Sequence, residues 1–219
     1  MEGGAGAAWW VREGRAGTGA MSVRQWVKAH LPYAVVCAIA RAINRPFLED
    51  IHRNERIVEY AWVLHHVRGP LIADVGCAGS YFAEMLCFFG NVVGIDPRPT
   101  PKITHPRFRR ETKVSYGAPY DTVVCVSVLE HLPRTAAKQL IWQMVEALAP
   151  AGQCLITVPC GRERDFRGYQ PFPPEEIAQW PGEPQVAVVT RHFGPNQEHR
   201  VGHVALVRLV RPSSAARPT

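Results

Sequence analysis

The sequence predicts an α/β fold built on a mostly parallel β-sheet with helices on both of its faces. Short apolar stretches such as "LIADV", "VVGI" and "TVVCVSV" are typical of strands buried on both faces, and segments with helical spacing of apolar residues alternate with them. Two more apolar stretches near the C-terminus are separated only by a polar loop, which indicates that one closing strand runs antiparallel. A chain of 219 residues suits one such domain with extensions.

The elements follow in chain order from apolar spacing and turn residues. The first half is predicted to contain a helix at 56–67, a strand at 71–75, a helix at 81–89, a strand at 92–95 and a short strand at 108–111. Prolines at 97, 99 and 101 forbid a helix directly after the second strand. The second half is predicted to contain a strand at 122–128, a helix beginning near Pro133, a strand at 154–158, one small helix in "PFPPEEIAQW" and strands at 185–190 and 203–210.

The ends of the chain are expected to lie outside the α/β domain, which is assigned to residues 70–211. Residues 1–20 are rich in Gly and Ala and are predicted to be disordered, as is the tail at 212–219. Residues 21–69 are expected to form an N-terminal helical segment or lid. Within it, the stretch "YAVVCAIARAI" at 33–43 is either a helix packed on the domain or a peripheral membrane contact, and it is too short to span a bilayer.

Composition narrows the classes of partner and compartment. The net charge of +6 admits nucleic acid, a membrane surface or an acidic glycan as an anionic partner, although no stretch has five consecutive basic residues. The six cysteines form no CxxC pair and lie mostly in or beside apolar stretches, which favours a reducing cytoplasm over a disulfide framework. No zinc-ligand spacing is present, so no metal is expected.

The turn after the first predicted strand indicates what the protein binds. It reads "DVGCAGS", and its glycine spacing departs from the G-x-G-x-x-G fingerprint of dinucleotide-binding turns. Asp74 would also repel a pyrophosphate, by about 4 kcal/mol at ~4 Å near a protein surface. S-adenosylmethionine removes this conflict because it carries an ammonium and a sulfonium but no phosphate. Gly76 and the small Ala78 let the backbone approach a ligand, and Asp96, about 20 residues further on, can accept hydrogen bonds from ribose hydroxyls.

Four segments make the chain recognisable over about residues 71–159. "DVGCAGS", "VVGIDPR", "YDTVVCVSVLEHL" and "LAPAGQCLITVP" resemble, in order and spacing, the motifs of class I S-adenosylmethionine-dependent methyltransferases of the type 11-like kind. The chain is more weakly similar to a branch associated with bacterial surface-glycan clusters. The resemblance implies a Rossmann-like, doubly wound, three-layer α/β/α fold with seven strands, the last of them antiparallel. The chain departs from the family pattern at Ala78 and Ser80, where glycine is usual.

The resemblance also assigns cofactor contacts along the carboxyl edge of the sheet. It implies that the methionine end is lined by four residues of the first turn, namely Asp74, Gly76, Cys77 and Ala78. It implies that Asp96 holds the ribose, and that Pro97, Arg98 and either Glu111 or Thr112 flank the adenine. Ser127 and Val128, at the end of the fourth strand, are implied to face the methionine and the acceptor.

The residues that act on the acceptor must come from near this edge. A hydroxyl acceptor has to lose its proton, and His131 is the candidate general base, with orientation of the next helix as its alternative role. Glu130 is expected either to contact a ligand or to cap backbone amides. In "CGRERDFRGYQPF" the candidate substrate residues are Arg162, Arg167 and Tyr169, and the alternative is a solvated loop.

Three functions stay open on the sequence. The leading one is methyl transfer to O or N of a small molecule or of a glycan or lipid precursor. The second is a nucleic-acid (RNA) methyltransferase, which the charge suggests, although enzymes that methylate base amino groups usually carry an Asn/Asp-Pro-Pro-aromatic set where this chain has "SVLEH". The third is a non-catalytic protein that retains the fold.

Overall fold

A sheet of seven strands forms the centre of the part of the chain that the computed structural model describes, namely residues 54–77, 82–98, 103, 105–114, 119–161, 170–192 and 201–211. The strands are β1 (Leu71–Val75), β2 (Asn91–Ile95), β3 (Phe108–Glu111), β4 (Tyr120–Val126), β5 (Leu148–Pro159), β6 (Gln185–His192) and β7 (Val201–Val210). Their order is β3-β2-β1-β4-β5-β7-β6. Every neighbouring pair is parallel except those that β7 makes with β5 and β6. The predicted Rossmann-like fold with an antiparallel last strand is therefore confirmed.

Four α-helices and a single 3₁₀ turn accompany the sheet in the described residues. They are α1 (Asn54–His66), α2 (Phe82–Leu86), α3 (Arg134–Glu146) and α4 (Pro174–Ile177), with the 3₁₀ turn at Leu129–His131. Helix α3 is amphipathic and buries Ala137, Ile141 and Met144 in the core, which explains its apolar spacing. Helix α1 packs on β4, β5 and β7, so it lies against the sheet although it precedes the motifs.

Several strand bounds differ from those that apolar spacing predicts, and two of the differences have a local cause in the backbone. Strand β4 ends at Val126 instead of residue 128, because Ser127 has a φ of 47° and leaves the extended conformation. Strand β5 begins at Leu148, since "LAPAGQ" continues the pairing through a register shift and Ala151 takes a φ of 61°. Proline and glycine in that segment indicated a turn, whereas the chain uses them in a bulge.

The strand order places a ligand-binding edge between β1 and β4. Strand β1 pairs with β2 on one side and with β4 on the other, so the chain winds outward in both directions from this point. Ligands of open α/β sheets bind at the carboxyl ends of the strands where the order reverses. The segments that follow β1, β2 and β4 are therefore the candidate site.

The opposite, amino edge of the same strands is closed by hydrogen bonds. Asp121 accepts the Leu71 N–H through Oδ2 at 2.9 Å. The Thr122 hydroxyl donates to the Arg68 carbonyl at 2.8 Å and accepts from the Arg68 N–H at 3.0 Å. Gly69 has a φ of 76° and lies so close to Asp121 that an added Cβ would be 2.0 Å from the Asp121 Cβ. These contacts hold the amino edge of the sheet together. Substitutions of Asp121 and Thr122 can therefore serve as controls for substitutions at the carboxyl edge.

Several predictions concern residues outside the described ranges. They are the disorder of 1–20 and 212–219 and the apolar stretch at 33–43. No described helix is both long and apolar enough to cross a membrane.

Candidate functional site

Two buried carboxyl groups lie at the carboxyl ends of the adjacent strands β1 and β2. The side chain of Asp74 is 4% exposed and that of Asp96 is 2% exposed. Burial, and then the charge of Asp96, raise the pKa of Asp74 from 3.8 to about 7. Within the described chain, Oδ2 of Asp74 is buried and has no hydrogen-bond partner. A cationic hydrogen-bond donor would therefore satisfy an oxygen that the fold leaves unsatisfied.

Gly76 forms the start of the turn after β1 and can only be glycine. Its φ is 80°, and its N–H donates to the Ile95 carbonyl at 2.7 Å. An added Cβ would lie 2.3 Å from Cγ2 of Val128. The structure thus brings the first turn and the segment after β4 into contact, as expected if both line one ligand.

Cys77 follows in the same turn and packs as a small apolar side chain. It is 2% exposed, and burial raises the pKa of its thiol to about 12, so it stays neutral. Its sulfur lies 2.8 Å from where a Cβ on Gly94 would be, and the Phe108 ring lies 2.5 Å from the same point. The side chain therefore fills space between β1 and β2.

The turn after β2 is held by hydrogen bonds to Asp96. Its Oδ1 accepts the Arg98 N–H at 2.8 Å, and the exposed guanidinium of Arg98 approaches it to 3.6 Å. The Asp96 N–H donates to the Glu111 carbonyl at 3.2 Å, which places the ends of β2 and β3 together. Pro97, which lies between Asp96 and Arg98 in the chain, is exposed. The predicted adenine residues Pro97, Arg98 and Glu111 thus share one locality.

Arg110, on β3, also holds this turn, although it was not among the predicted site residues. Its guanidinium donates to the Asp96 carbonyl at 3.2 Å and to the Arg98 carbonyl. Its only sequence signal is its place beside Glu111 on a short predicted strand; in the structure Arg109 and Arg110 are the exposed residues of β3.

The segment after β4 is anchored by a carboxylate on α1. Ser127 donates through its N–H to the Thr157 carbonyl at 3.0 Å and through its hydroxyl to Oε1 of Glu59 at 2.6 Å. The Thr157 hydroxyl donates to the same oxygen at 2.7 Å. Glu59 is 1% exposed and was missed by sequence reasoning. Its signal was an acid inside the apolar stretch "IVEYAWVL".

Glu130 and His131 occupy the 3₁₀ turn that comes next. Glu130 is buried, whereas His131 is exposed and donates its backbone N–H to the Val128 carbonyl at 3.1 Å. Only His131 of this pair is therefore open to a molecule arriving from solvent. Its role as a base stays a prediction.

Five predicted residues lie outside the described ranges: Ala78 and Ser80 in the first turn and Arg162, Arg167 and Tyr169 after β5. Backbone hydrogen bonds nonetheless hold together the two ends of the segment after β5. The Gly161 N–H donates to the Phe172 carbonyl at 3.1 Å, and the Phe172 N–H donates to the Pro159 carbonyl at 2.8 Å. Since Pro159 ends β5, the segment starts and returns at the carboxyl edge of the sheet.

Comparison with known proteins identifies relatives of this arrangement. A family model described as a methyltransferase domain matches residues 44–196. The chain is 29% identical over 128 residues to the ubiquinone biosynthesis O-methyltransferase of Hydrogenovibrio crunogenus, and the match covers 51% of each protein. The chain thus spans about half the length of this curated relative.

Two solved structures share the fold at low sequence identity. One is the N-methyltransferase NodS from Bradyrhizobium japonicum WM9 in complex with S-adenosyl-L-homocysteine, with a TM-score of 0.56, 18% identity and coverage of 82% of this chain and 98% of that chain. The other is 1,6-didemethyltoxoflavin-N1-methyltransferase from Burkholderia thailandensis, with a TM-score of 0.55, 15% identity and coverage of 82% and 89%.

Proposed function

The chain belongs to the methyltransferase domain family, and we propose that it transfers a methyl group from S-adenosylmethionine to a small-molecule acceptor. The acceptor atom in this proposal is a hydroxyl oxygen, with an amine nitrogen as the alternative, on a small molecule or a glycan or lipid precursor. The observation that carries it is the pair of buried carboxyls, Asp74 and Asp96, at neighbouring strand ends. The name of the curated O-methyltransferase relative supports oxygen as the acceptor atom.

The residues of the site fit this cofactor. The unsatisfied Oδ2 of Asp74 suits a cationic donor at the methionine end, and Asp96 suits the ribose hydroxyls. Gly76 lacks the Cβ that would collide with Val128, so the first turn and the segment after β4, which are both proposed to line the cofactor, pack directly against each other. Arg98 and Glu111 stand beside Asp96 and are proposed to flank the adenine, together with Pro97.

The chemistry divides between the cofactor and the chain. When bound, S-adenosylmethionine supplies an electrophilic methyl group on a good leaving group. The chain orients the acceptor in line with that methyl group, which supplies much of the rate acceleration. His131 is proposed to accept the proton of a hydroxyl acceptor at a ring nitrogen. Arg162, Arg167 and Tyr169 are proposed to hold the acceptor, because the segment that carries them begins and ends at the same edge.

Calorimetry tests the cofactor first. The full chain should bind both S-adenosylmethionine and S-adenosylhomocysteine, and absence of binding at high ligand concentration would favour the non-catalytic alternative. Asp121→Asn, which alters a carboxyl at the amino edge, is the matched control and should bind as the wild type does.

A labelled-methyl assay then tests the acceptor. Transfer from methyl-labelled S-adenosylmethionine is measured with phenols, sugar nucleotides, lipid-linked sugars, amines and RNA. Label on a hydroxyl of a small molecule or precursor is the expected result. Label on RNA alone, with binding that weakens steeply as salt increases, would overturn the small-molecule assignment.

A further inference from the structure

A buried carboxylate on α1 reaches the carboxyl edge of the sheet from outside the recognisable motifs. One oxygen of Glu59 accepts the hydroxyl hydrogens of both Ser127, at 2.6 Å, and Thr157, at 2.7 Å. Thr157 pairs with Val126, the last residue of β4, so the carboxylate bridges α1 and the ends of two strands. Hydrogen bonds to a carboxylate are stronger than those between neutral groups. The carboxylate of Glu59 is also buried, so water does not compete for these two bonds.

The bond to Glu59 holds a backbone conformation that serine disfavours. Ser127 has a φ of 47°, which residues with a side chain adopt at a cost of about tenfold in population. Its N–H is fixed by the Thr157 carbonyl at 3.0 Å, and its hydroxyl is fixed by Glu59. Loss of the second bond would favour relaxation of the turn toward an ordinary conformation.

The position of the turn at Ser127 determines where the Val128 side chain packs against Gly76 in the turn after β1. Val128 follows Ser127 directly, and its side chain occupies the space 2.3 Å from where a Cβ of Gly76 would be. A shift of Ser127 therefore moves Val128 relative to Gly76, which belongs to the proposed cofactor site.

We propose that Glu59 is a positioning residue that fixes the Ser127–Val128 turn against Gly76 and so maintains the shape of the S-adenosyl site. The inference deepens the proposed function and rests on it. It also gives α1 a defined task, since this helix precedes the motifs and supplies the carboxylate that anchors the turn.

The first test compares two substitutions of Glu59. Glu59→Gln retains an oxygen that can accept the hydroxyl hydrogens, and Glu59→Leu removes it. The dissociation constant of S-adenosylhomocysteine is measured by calorimetry, with thermal unfolding alongside. We expect Glu59→Leu to bind about tenfold more weakly and Glu59→Gln to recover most of the affinity. A folded Glu59→Leu protein with wild-type affinity would overturn the inference, whereas a wild-type protein that binds no S-adenosyl ligand would overturn the proposed function instead.

A second pair of variants isolates the backbone conformation, and remains usable if Glu59→Leu fails to fold. Ser127→Ala loses the hydroxyl and keeps the unfavourable φ, while Ser127→Gly loses the hydroxyl but tolerates that φ. Ser127→Ala should bind S-adenosylhomocysteine more weakly than Ser127→Gly. Equal affinities of Ser127→Ala and Ser127→Gly for S-adenosylhomocysteine would contradict the proposal that the hydrogen bond to Glu59 holds this backbone conformation.

Thr122 provides the control for a general loss of stability. Thr122→Val removes a buried hydroxyl at the amino edge, and Thr157→Val removes one at the carboxyl edge. Both should lower the melting temperature, and only Thr157→Val should weaken binding of S-adenosylhomocysteine. Equal weakening by both would mean that lost stability, not position, explains the effect.

Discussion

Replacement of Asp74 by Asn should remove a pH dependence of stability that burial of this carboxyl creates. The pKa of Asp74 rises from 3.8 to about 7, first because the group is buried and then because Asp96 is near. The folded protein therefore binds more protons than the unfolded chain between these two values, and the free energy of unfolding falls as pH increases through that window. A pKa difference of about 3 corresponds to about 4 kcal/mol, which Asp74→Asn should recover above neutral pH.

The assay is chemical denaturation of the ligand-free wild type and of Asp74→Asn at several pH values. Between about pH 5 and pH 8 the wild type should lose about 2 to 3 kcal/mol relative to the variant. Asp121→Asn, which alters a carboxyl at the opposite, amino edge of the sheet, is the control and should keep the wild-type slope. Parallel pH profiles for the wild type and Asp74→Asn would refute the argument that Asp74 is a strained, buried acid.

Asp74→Asn should stabilise the folded protein at high pH but weaken its binding of the ligand. A cationic ligand favours the ionised carboxylate, so the affinity of the wild type for S-adenosylmethionine should increase as pH passes about 7. Asp74→Asn should bind more weakly at high pH and show little of this dependence. A variant that is more stable than the wild type, yet binds as tightly at high pH, would separate Asp74 from the ligand altogether.

Three further substitutions test the rest of the site. Gly76→Ala places a Cβ 2.3 Å from Val128 at a φ of 80°, so it should lower both the melting temperature and the affinity for S-adenosylhomocysteine. Gly161→Ala is the matched control: its φ of 149° also disfavours alanine, but nothing lies within 4 Å of the added Cβ, so it should lower the melting temperature and leave that affinity unchanged. Asp96→Ala should weaken S-adenosyl binding by about tenfold or more in calorimetry, since the ribose hydroxyls lose a buried acceptor, and unchanged affinity would remove Asp96 from the site. His131→Ala should lower kcat by about 10²-fold or more with the cofactor Kd unchanged, and a surviving kcat would mean that the histidine is structural.

Local patterns located most elements because each is bounded by residues with a strong conformational preference. Strands β1 and β3 occupy the predicted residues, and Pro133 directly precedes α3 as expected. The bounds of β4 and β5 were wrong where a bulge and a left-handed serine depend on pairing with a distant strand. Apolar spacing carries no information about such pairing.

The sequence by itself determined the fold class and the identity of the acids at the strand ends. Apolar runs and turn residues act over a few positions, and Asp74, Gly76 and Asp96 lie inside one such local pattern. Only the tertiary structure decided which groups complete the site. Glu59 is separated from Ser127 by 68 positions, and Arg110 reaches the Asp96 turn across a strand pair. Their roles arise from burial and hydrogen bonds between segments distant in sequence, and these exist only once the sheet has formed.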